Sequence, residues 1–214
     1  MAMTRSTTRV PEVAGGGRRF PRVTNQDHSR GPVDAVVTLV EYGDYQCPYC
    51  RQARPIVKVL ERRLADRTIP IRFVFRNFPL TEIHAQSLHA AEAAESVSQH
   101  AGELAFWTMH DAIFVHQDGT PAALSDERLC EYASAVGVDA ALIARDLETG
   151  AHEQRIRDDY IGGLRSGVNG TPTFFINGRR YDGDWRDVRE FTAALEAAAG
   201  LSAAMLDSPD VPHI

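Results

Sequence analysis

Apolar residues form short continuous runs near the two ends of this chain and recur at helical spacing between them. Residues 35–42 are β-branched and almost wholly apolar, which predicts a buried strand. A helix is predicted from Cys47 to about Ala65. Pro48 suits its first turn, where no amide partner is needed, and Pro55 is expected to kink it. Residues 70–76 alternate apolar and polar side chains and predict a second strand.

The apolar runs return towards the end of the chain. Strands are predicted at 173–177 and around 179–181, because the Asn177–Gly178 dipeptide between them is a strong hairpin signal. Asp184 is a candidate cap for a last helix that is expected to end at about Ala199.

The long middle section, about residues 82–167, is typical of helices. Phe106, Met109 and Ile113 recur at helical spacing, which favours packing into a core. The alternative is that Phe106, Trp107 and Met109 line a groove for unfolded peptide. The histidines of this section are expected at the surface or partly buried; they are His84, His89, His110 and His116.

The order of elements is therefore β-α-β, a block of helices, then β-β-α. A right-handed βαβ unit makes the first two strands parallel, and the hairpin adds antiparallel strands, so the sequence predicts an α/β fold. We predict one domain over residues 33–200 with the helical insertion at about 82–167. Residues 1–32, basic and rich in glycine, are predicted to be a flexible arm, and 201–214 a tail.

Composition excludes several classes of protein. Apolar residues make up 43% and charged residues 24% of the 214 positions, which is ordinary for a globular protein. The net charge of −6 argues against a general binder of nucleic acid or anionic membranes. No run of apolar residues is long enough to span a bilayer. Arg18, Arg19 and Arg22 lack the following hydrophobic segment of an export signal, so a cytoplasmic location is expected.

Three cysteines supply the candidate chemistry, and two of them form the motif Cys47-Pro48-Tyr49-Cys50. Two cysteines with two residues between them close a small disulfide ring with little backbone movement. At a helix N-terminus, free amides and the helix dipole stabilise a thiolate. A metal site is not expected, because structural zinc needs four ligands, commonly in two close pairs. Cys130 is predicted to be a buried free thiol.

Two phrases carry a resemblance to a known family. The first is Leu39–Cys50, which reads LVEYGDYQCPYC, and the second is Gly167–Gly178, which reads GVNGTPTFFING. With this order of elements, residues 33–200 resemble the thioredoxin fold, and the helical block resembles its DsbA-type branch.

The resemblance implies a role for each residue of the two phrases. Cys47 is implied to be the exposed nucleophile and Cys50 the resolving thiol. Pro172 is implied to be a cis proline beside the sulfurs. Thr171 is implied to offer its backbone to an extended substrate, with Pro48 and Tyr49 also on the substrate side. Glu41 occupies the place of a buried acid that relays protons to the resolving thiol; burial is expected to raise its pKa.

One position departs from the strongly oxidising members of the family. Tyr49 stands where those proteins have histidine, which predicts a less depressed thiol pKa and a weaker oxidant. Asp44 flanks the motif, and its charge is expected to oppose thiolate formation.

The sequence therefore predicts a thiol–disulfide oxidoreductase acting on protein or peptide substrates. No organic cofactor is expected, and electrons are exchanged with another dithiol or with glutathione. Two alternatives stay open. One is a glutathione-linked reductase of mixed disulfides, which needs Cys47 alone. The other is a peptide-binding chaperone in which the disulfide is only a switch.

Overall fold

The computed structural model describes the backbone of residues 22–206. Its strands are β1 (His28–Arg30), β2 (Val37–Gly43), β3 (Ile71–Asn77), β4 (Thr173–Ile176) and β5 (Arg179–Arg180). Its helices are α1 (Pro48–Asp66), α2 (Ser87–Ala101), α3 (Glu103–His116), α4 (Asp126–Ala135), α5 (Ala140–Thr149), α6 (Glu153–Ser166) and α7 (Val188–Leu206). The predicted strands, the first helix and the helical block are all present, and α1 runs without interruption through Pro55.

The strands form one mixed sheet in the order β1-β3-β2-β4-β5. Strand β2 pairs with β3 in parallel, with Glu41 opposite Phe75, and with β4 antiparallel. The predicted α/β architecture is confirmed. Because β2 is central, its carboxyl end, which leads to the cysteine motif, is enclosed by neighbours on both sides.

The hairpin between β4 and β5 turns at the predicted Asn-Gly dipeptide. Asn177 and Gly178 have φ angles of 46° and 77°, the left-handed conformation that such a tight turn requires. The Asn177 side chain also accepts a hydrogen bond from the Thr38 amide at 2.7 Å. The turn is therefore tied to the start of the central strand.

Apolar residues cover both faces of the sheet. On one face, Leu39 and Phe73 belong to the main core, with inward side chains of α1 and α7. On the other face, Tyr42 and Phe78 lie under α6. A Cβ added to Gly163 of α6 would lie 2.7 Å from the Phe78 ring, so glycine allows this helix to approach the sheet closely.

The helical block contributes to the main core. Phe106, Met109 and Ile113 of α3 are wholly buried, and Trp107 is 8% exposed. The prediction of core packing for these residues is confirmed, and the alternative of an open peptide groove lined by them is wrong.

The prediction of a flexible arm over residues 1–32 is wrong for residues 28–30. Residues 28–30 form β1, which pairs antiparallel with the edge of β3. His28 is buried, and its ring nitrogens lie 3.0 Å from Glu95 Oε2 and 2.9 Å from Glu103 Oε2. Arg30 forms a two-point ion pair with Glu61. Side-chain charges hold this strand to the domain, whereas the prediction looked for an apolar face. Residues 1–21 of the predicted arm lie outside the described residues.

The bounds of the last helix also need correction. The Asp187 carboxylate accepts hydrogen bonds from the amides of Arg189 and Glu190, so Asp187 caps α7. Asp184 caps only the preceding turn, through the Arg186 amide. The helix continues to Leu206, into the stretch predicted as a tail, and residues 207–214 lie outside the described residues.

Candidate active site

The cysteine motif lies where the central strand β2 gives way to helix α1. Cys47 is the N-cap residue of α1, with extended backbone, and Pro48 occupies the first helical position. The Cys47 amide donates to the Asp44 carbonyl at 3.1 Å, which closes the turn between strand and helix. Tyr49 is 51% exposed at the protein surface. The first sulfur therefore faces the free amides of a helix N-terminus. Cys47 is only 3% exposed, which contradicts the implied exposure of this cysteine.

The two thiols of the motif have opposite electrostatic character. A hydrogen bond from the Cys50 thiol is the main cause that lowers the pKa of Cys47 to about 6, although burial opposes the shift. The backbone amides of Cys50 and Tyr49 add to the lowering. Burial raises the pKa of Cys50 well above its ordinary value, and Cys47 and Glu41 add to that rise. At neutral pH, Cys47 is the thiolate and Cys50 holds its proton.

The second of the two phrases that carry the family resemblance meets the first one in space. The peptide bond between Thr171 and Pro172 is cis. When protonated, the Cys47 thiol donates to the Thr171 carbonyl at 3.4 Å, across 124 positions of sequence. The fold thus brings Thr171 and Pro172 against the first sulfur.

Glu41 lies beneath the motif on the inner face of the sheet. It shares the face of Leu39, under α1, and is 3% exposed. Burial raises its pKa to about 8, while the positive charges of Arg54 and Arg30 oppose that rise. At neutral pH this carboxyl group is therefore largely protonated and still able to exchange its proton.

Arg54, which is not part of either sequence motif, also belongs to this buried site. It lies one turn after Cys50 on the buried side of α1 and is 6% exposed. Its Nε donates to Asp111 Oδ1 on α3 at 2.6 Å. An arginine in the inward-facing positions of a helix, four residues after Cys50, was the available signal.

Asp44 makes more contacts at the site than its place in the sequence suggests. Its backbone amide donates to Cys50 Sγ at 3.4 Å. Its carboxylate accepts from the Gln46 amide at 2.7 Å, the Leu80 amide at 2.8 Å and His84 Nδ1 at 2.8 Å. These donors offset the charge that was expected to oppose the thiolate.

One histidine of the helical block is more buried than predicted. His110 is 1% exposed, which contradicts its expected surface or partly buried position. Its Nδ1 lies 3.1 Å from the Tyr45 hydroxyl, and burial lowers the pKa of the imidazole well below its ordinary value. Phe75 and Phe114 surround the ring, so His110 is a neutral member of the aromatic core behind the motif.

The outer rim of the site is aromatic and basic. The Arg186 guanidinium lies 4.4 Å from the Trp185 ring centroid and 5.4 Å from that of Tyr49. A cavity of about 210 Å³ opens beside Pro172, between Tyr181 and Trp185. Trp185 and Arg186 thus lie close to the exposed Tyr49 of the motif.

Cys130 lies away from the motif, on α4. It is partly buried and packs against the main core, so the prediction of full burial is wrong. Burial raises the pKa of its thiol. Across residues 22–206, no three side chains of histidine, cysteine, aspartate or glutamate are grouped as a metal would need. No helix in that part of the chain combines the length and apolarity needed to cross a membrane.

Comparison with known proteins places the chain among thioredoxin-like folds. A family model described as thioredoxin matches residues 23–197. Oxidised BdbD from Bacillus subtilis is 23% identical with a TM-score of 0.73, covering 82% of this chain and 94% of that one. A thioredoxin-like oxidoreductase from Silicibacter pomeroyi is 25% identical with a TM-score of 0.63, covering 91% and 100%.

Curated sequence relatives are longer proteins. The Na(+)/H(+) antiporter NhaA 1 of Salinispora arenicola is 42% identical over 174 residues, which is 81% of this chain and 25% of the antiporter. The chain thus spans about a quarter of the length of such relatives.

Proposed function

Because the chain belongs to the thioredoxin family, we propose that it is a thiol–disulfide oxidoreductase acting on protein or peptide substrates through Cys47 and Cys50. The observation that carries the proposal is the contrast between the two thiols. The pKa of Cys47 is lowered to about 6, and that of Cys50 is raised far above its ordinary value. One sulfur is ready to attack, and the other keeps its proton until the second step.

In the reducing direction, the Cys47 thiolate attacks a sulfur of the substrate disulfide. A bond forms between Cys47 and that sulfur, and the other substrate sulfur leaves as a thiolate that takes up a proton. Cys50 then loses its proton to the ionised fraction of Glu41, which the pKa of about 8 keeps small at neutral pH, and attacks Cys47 Sγ. The Cys47–Cys50 disulfide forms and the second substrate thiolate leaves. The substrate gains two electrons and two protons. The cysteine pair starts as one thiolate and one thiol, so it supplies both electrons and one proton, which passes through Glu41, and solvent supplies the other proton.

The substrate side of the site is assigned to the rim around Cys47. The Thr171 backbone, next to cis Pro172, pairs with an extended peptide, as in strand addition. Pro48 and the exposed ring of Tyr49 form the opposite wall. The 3.4 Å contact between Cys47 and the Thr171 carbonyl supports this assignment, because a peptide paired there would place its sulfur next to Cys47.

Reduction of insulin by the protein in the presence of dithiothreitol tests the function. Cys47→Ser is expected to lower the rate to that of dithiothreitol alone. Cys130→Ser is the matched control and is expected to retain the full rate, because Cys130 lies away from the motif. An insulin rate unaffected by Cys47→Ser contradicts the proposal.

The glutathione-linked alternative has its own test. Cys50→Ser keeps the nucleophile and removes the resolving thiol, so retention of glutathione-dependent reduction of a mixed disulfide would favour that class. The chaperone alternative required a peptide groove lined by Phe106, Trp107 and Met109. These side chains are buried and cannot line such a groove. The cytoplasmic location, the lack of an organic cofactor and the electron-exchanging dithiol or glutathione stay predictions.

A further inference from the structure

Asp44 contacts both cysteines through its backbone. Its carbonyl accepts from the Cys47 amide at 3.1 Å, and its own amide donates to Cys50 Sγ at 3.4 Å. A backbone amide that points at sulfur forms a stronger hydrogen bond with a thiolate than with a thiol, because the thiolate carries a full negative charge. The residue is 1% exposed, so water does not compete for this hydrogen bond.

Three hydrogen bonds fix the Asp44 side chain, and two of them come from a loop that is distant in sequence. One carboxylate oxygen accepts from the Gln46 amide, and the other accepts from the Leu80 amide and from His84 Nδ1. Since a carboxylate only accepts, His84 carries its proton on Nδ1 and donates it to Asp44. Of these three donors, the imidazole is the only side chain, so it is the one that substitution removes.

We propose that Asp44 is a positioning residue for the resolving thiol, and that His84 holds it so that its amide stabilises the Cys50 thiolate. The inference rests on the proposed function, because it concerns the second step of that exchange. In that step Cys50 loses a proton and attacks Cys47 Sγ, and the substrate sulfur leaves with the bonding electron pair.

The direction of the effect follows from the state of Cys50. Burial raises the pKa of Cys50 well above its ordinary value, so the thiolate is scarce at neutral pH. For each unit by which a hydrogen bond lowers the pKa of Cys50, the thiolate fraction rises about tenfold. The nucleophilicity of that thiolate falls by only about threefold. The attack on the mixed disulfide is therefore faster with the Asp44 amide in place.

The experiment follows the mixed disulfide with oxidised glutathione as the substrate. Reduced protein is mixed with excess oxidised glutathione, quenched with acid, and the reduced, glutathionylated and internally disulfide-bonded species are separated by mass spectrometry. At saturating glutathione disulfide, decay of the glutathionylated species measures the attack by Cys50. All 214 residues of the chain are used throughout.

The variants separate loss of the donor from loss of the ring. His84→Phe keeps a ring and removes the donor; it is expected to slow the attack about threefold to tenfold, from the strength of a hydrogen bond to a charged group. His84→Asn places an amide donor near the Nδ1 position and is expected to restore the rate. His89→Phe breaks the exposed pair between His89 Nδ1 and Asp126, and is expected to match wild type.

Each outcome decides the inference. A His84→Phe rate equal to wild type, or a His84→Asn rate as slow as His84→Phe, overturns it. If His84→Phe lacks the wild-type circular dichroism spectrum, His84→Ala takes its place with the same expectation. Failure of the proposed function is distinct, because wild-type protein would then form no glutathionylated or internally disulfide-bonded species, and the inference would fall with it.

Discussion

Tyr49 lies inside the cysteine motif and is 51% exposed to solvent. Its ring is neutral and adds no positive charge beside Cys47, while its backbone amide helps to lower the pKa of that thiol. The reduction potential of the pair depends on how strongly the reduced form is stabilised, and a stabilised thiolate makes the pair more oxidising.

Tyr49→His is expected to lower the pKa of Cys47 further and to make the pair a stronger oxidant. A shift of about one pKa unit corresponds to about 1.4 kcal/mol, or about 30 mV, of stabilisation of the reduced form. Thiolate absorbance against pH and equilibration in glutathione buffers measure the two quantities. Tyr49→Phe, which adds no imidazole, is expected to leave both unchanged. A more negative potential in Tyr49→His would contradict the prediction.

Glu41 makes the stability of the reduced protein depend on pH. Its pKa is raised by burial from 4.5 to about 8, so between these values the folded chain keeps a proton that the unfolded chain has lost. Stability therefore falls as pH rises through this window. In Glu41→Gln that loss is absent, and the difference from wild type is on the order of 4 kcal/mol across the window.

Urea unfolding of the reduced protein at the two ends of the window measures the Glu41 effect. The Glu41→Gln variant is expected to gain stability relative to wild type as the pH is raised. Parallel pH profiles for the two proteins would show that Glu41 is not buried in the way described.

At the scale of elements, the strand β2 and helix α1 were predictable because each has a clear pattern. Apolar residues run continuously through the strand, and the motif with Pro48 marks the helix start. The position of Arg54 on the inward face of α1 could be read from its spacing to Cys50, but its partner could not, because Asp111 lies 57 positions away on another helix. The clamp on Asp44 likewise depends on Leu80 and His84, which no local pattern links to the motif.

The end of β2 approaches the Phe75 ring so closely that a side chain at position 43 would collide with it. A Cβ on Gly43 would lie 2.4 Å from the Phe75 ring and 3.3 Å from Glu41 Oε1. Gly43→Ala is therefore expected to destabilise the fold by about 1–3 kcal/mol through overpacking. Chemical denaturation measures this change.

Gly200 is the control for Gly43. A Cβ on Gly200 meets nothing within 4 Å, and the residue lies inside α7, so Gly200→Ala is expected to be neutral or to stabilise by up to about 1 kcal/mol. Equal stability of the two alanine variants would contradict the close approach of Gly43 to Phe75.

At the scale of the molecule, β1 closes the sheet through charged side chains, two of which also stack on aromatic rings of the core. Its three residues are His28, Ser29 and Arg30, and no alternation of apolar side chains announces a strand. The Ser29 amide donates to Glu103, and Arg30 pairs with Glu61. The sequence predicted the other four strands but not this one, because the partners of its side chains lie on α1, α2 and α3.

His28 is a second residue that makes the stability of the folded protein depend on pH. Burial opposes its charge, but hydrogen bonds with Glu103 and Glu95 outweigh that and raise its pKa to about 9. The stabilisation is present below about 6.5 and is lost as pH rises through about 9. In wild type, the free energy of unfolding is expected to fall by on the order of 3 kcal/mol across this pH window. In His28→Gln this fall is expected to be absent.

Denaturant unfolding on both sides of that window checks the His28 prediction. His89→Gln, at an exposed pair with Asp126, is the matched control and is expected to follow the wild-type profile. A His28→Gln profile that still falls as steeply as that of wild type would contradict the assigned role of His28.

The three sulfurs differ in a way that allows selective chemical labelling. Cys130 is partly open to solvent, but its pKa is raised; Cys47 is only 3% exposed, but its pKa is lowered to about 6. Since alkylating reagents react with thiolates, a short pulse of iodoacetamide at neutral pH marks the more shielded sulfur first. The chain therefore carries its own single attachment point for a probe, at Cys47, with no need to replace its other cysteines.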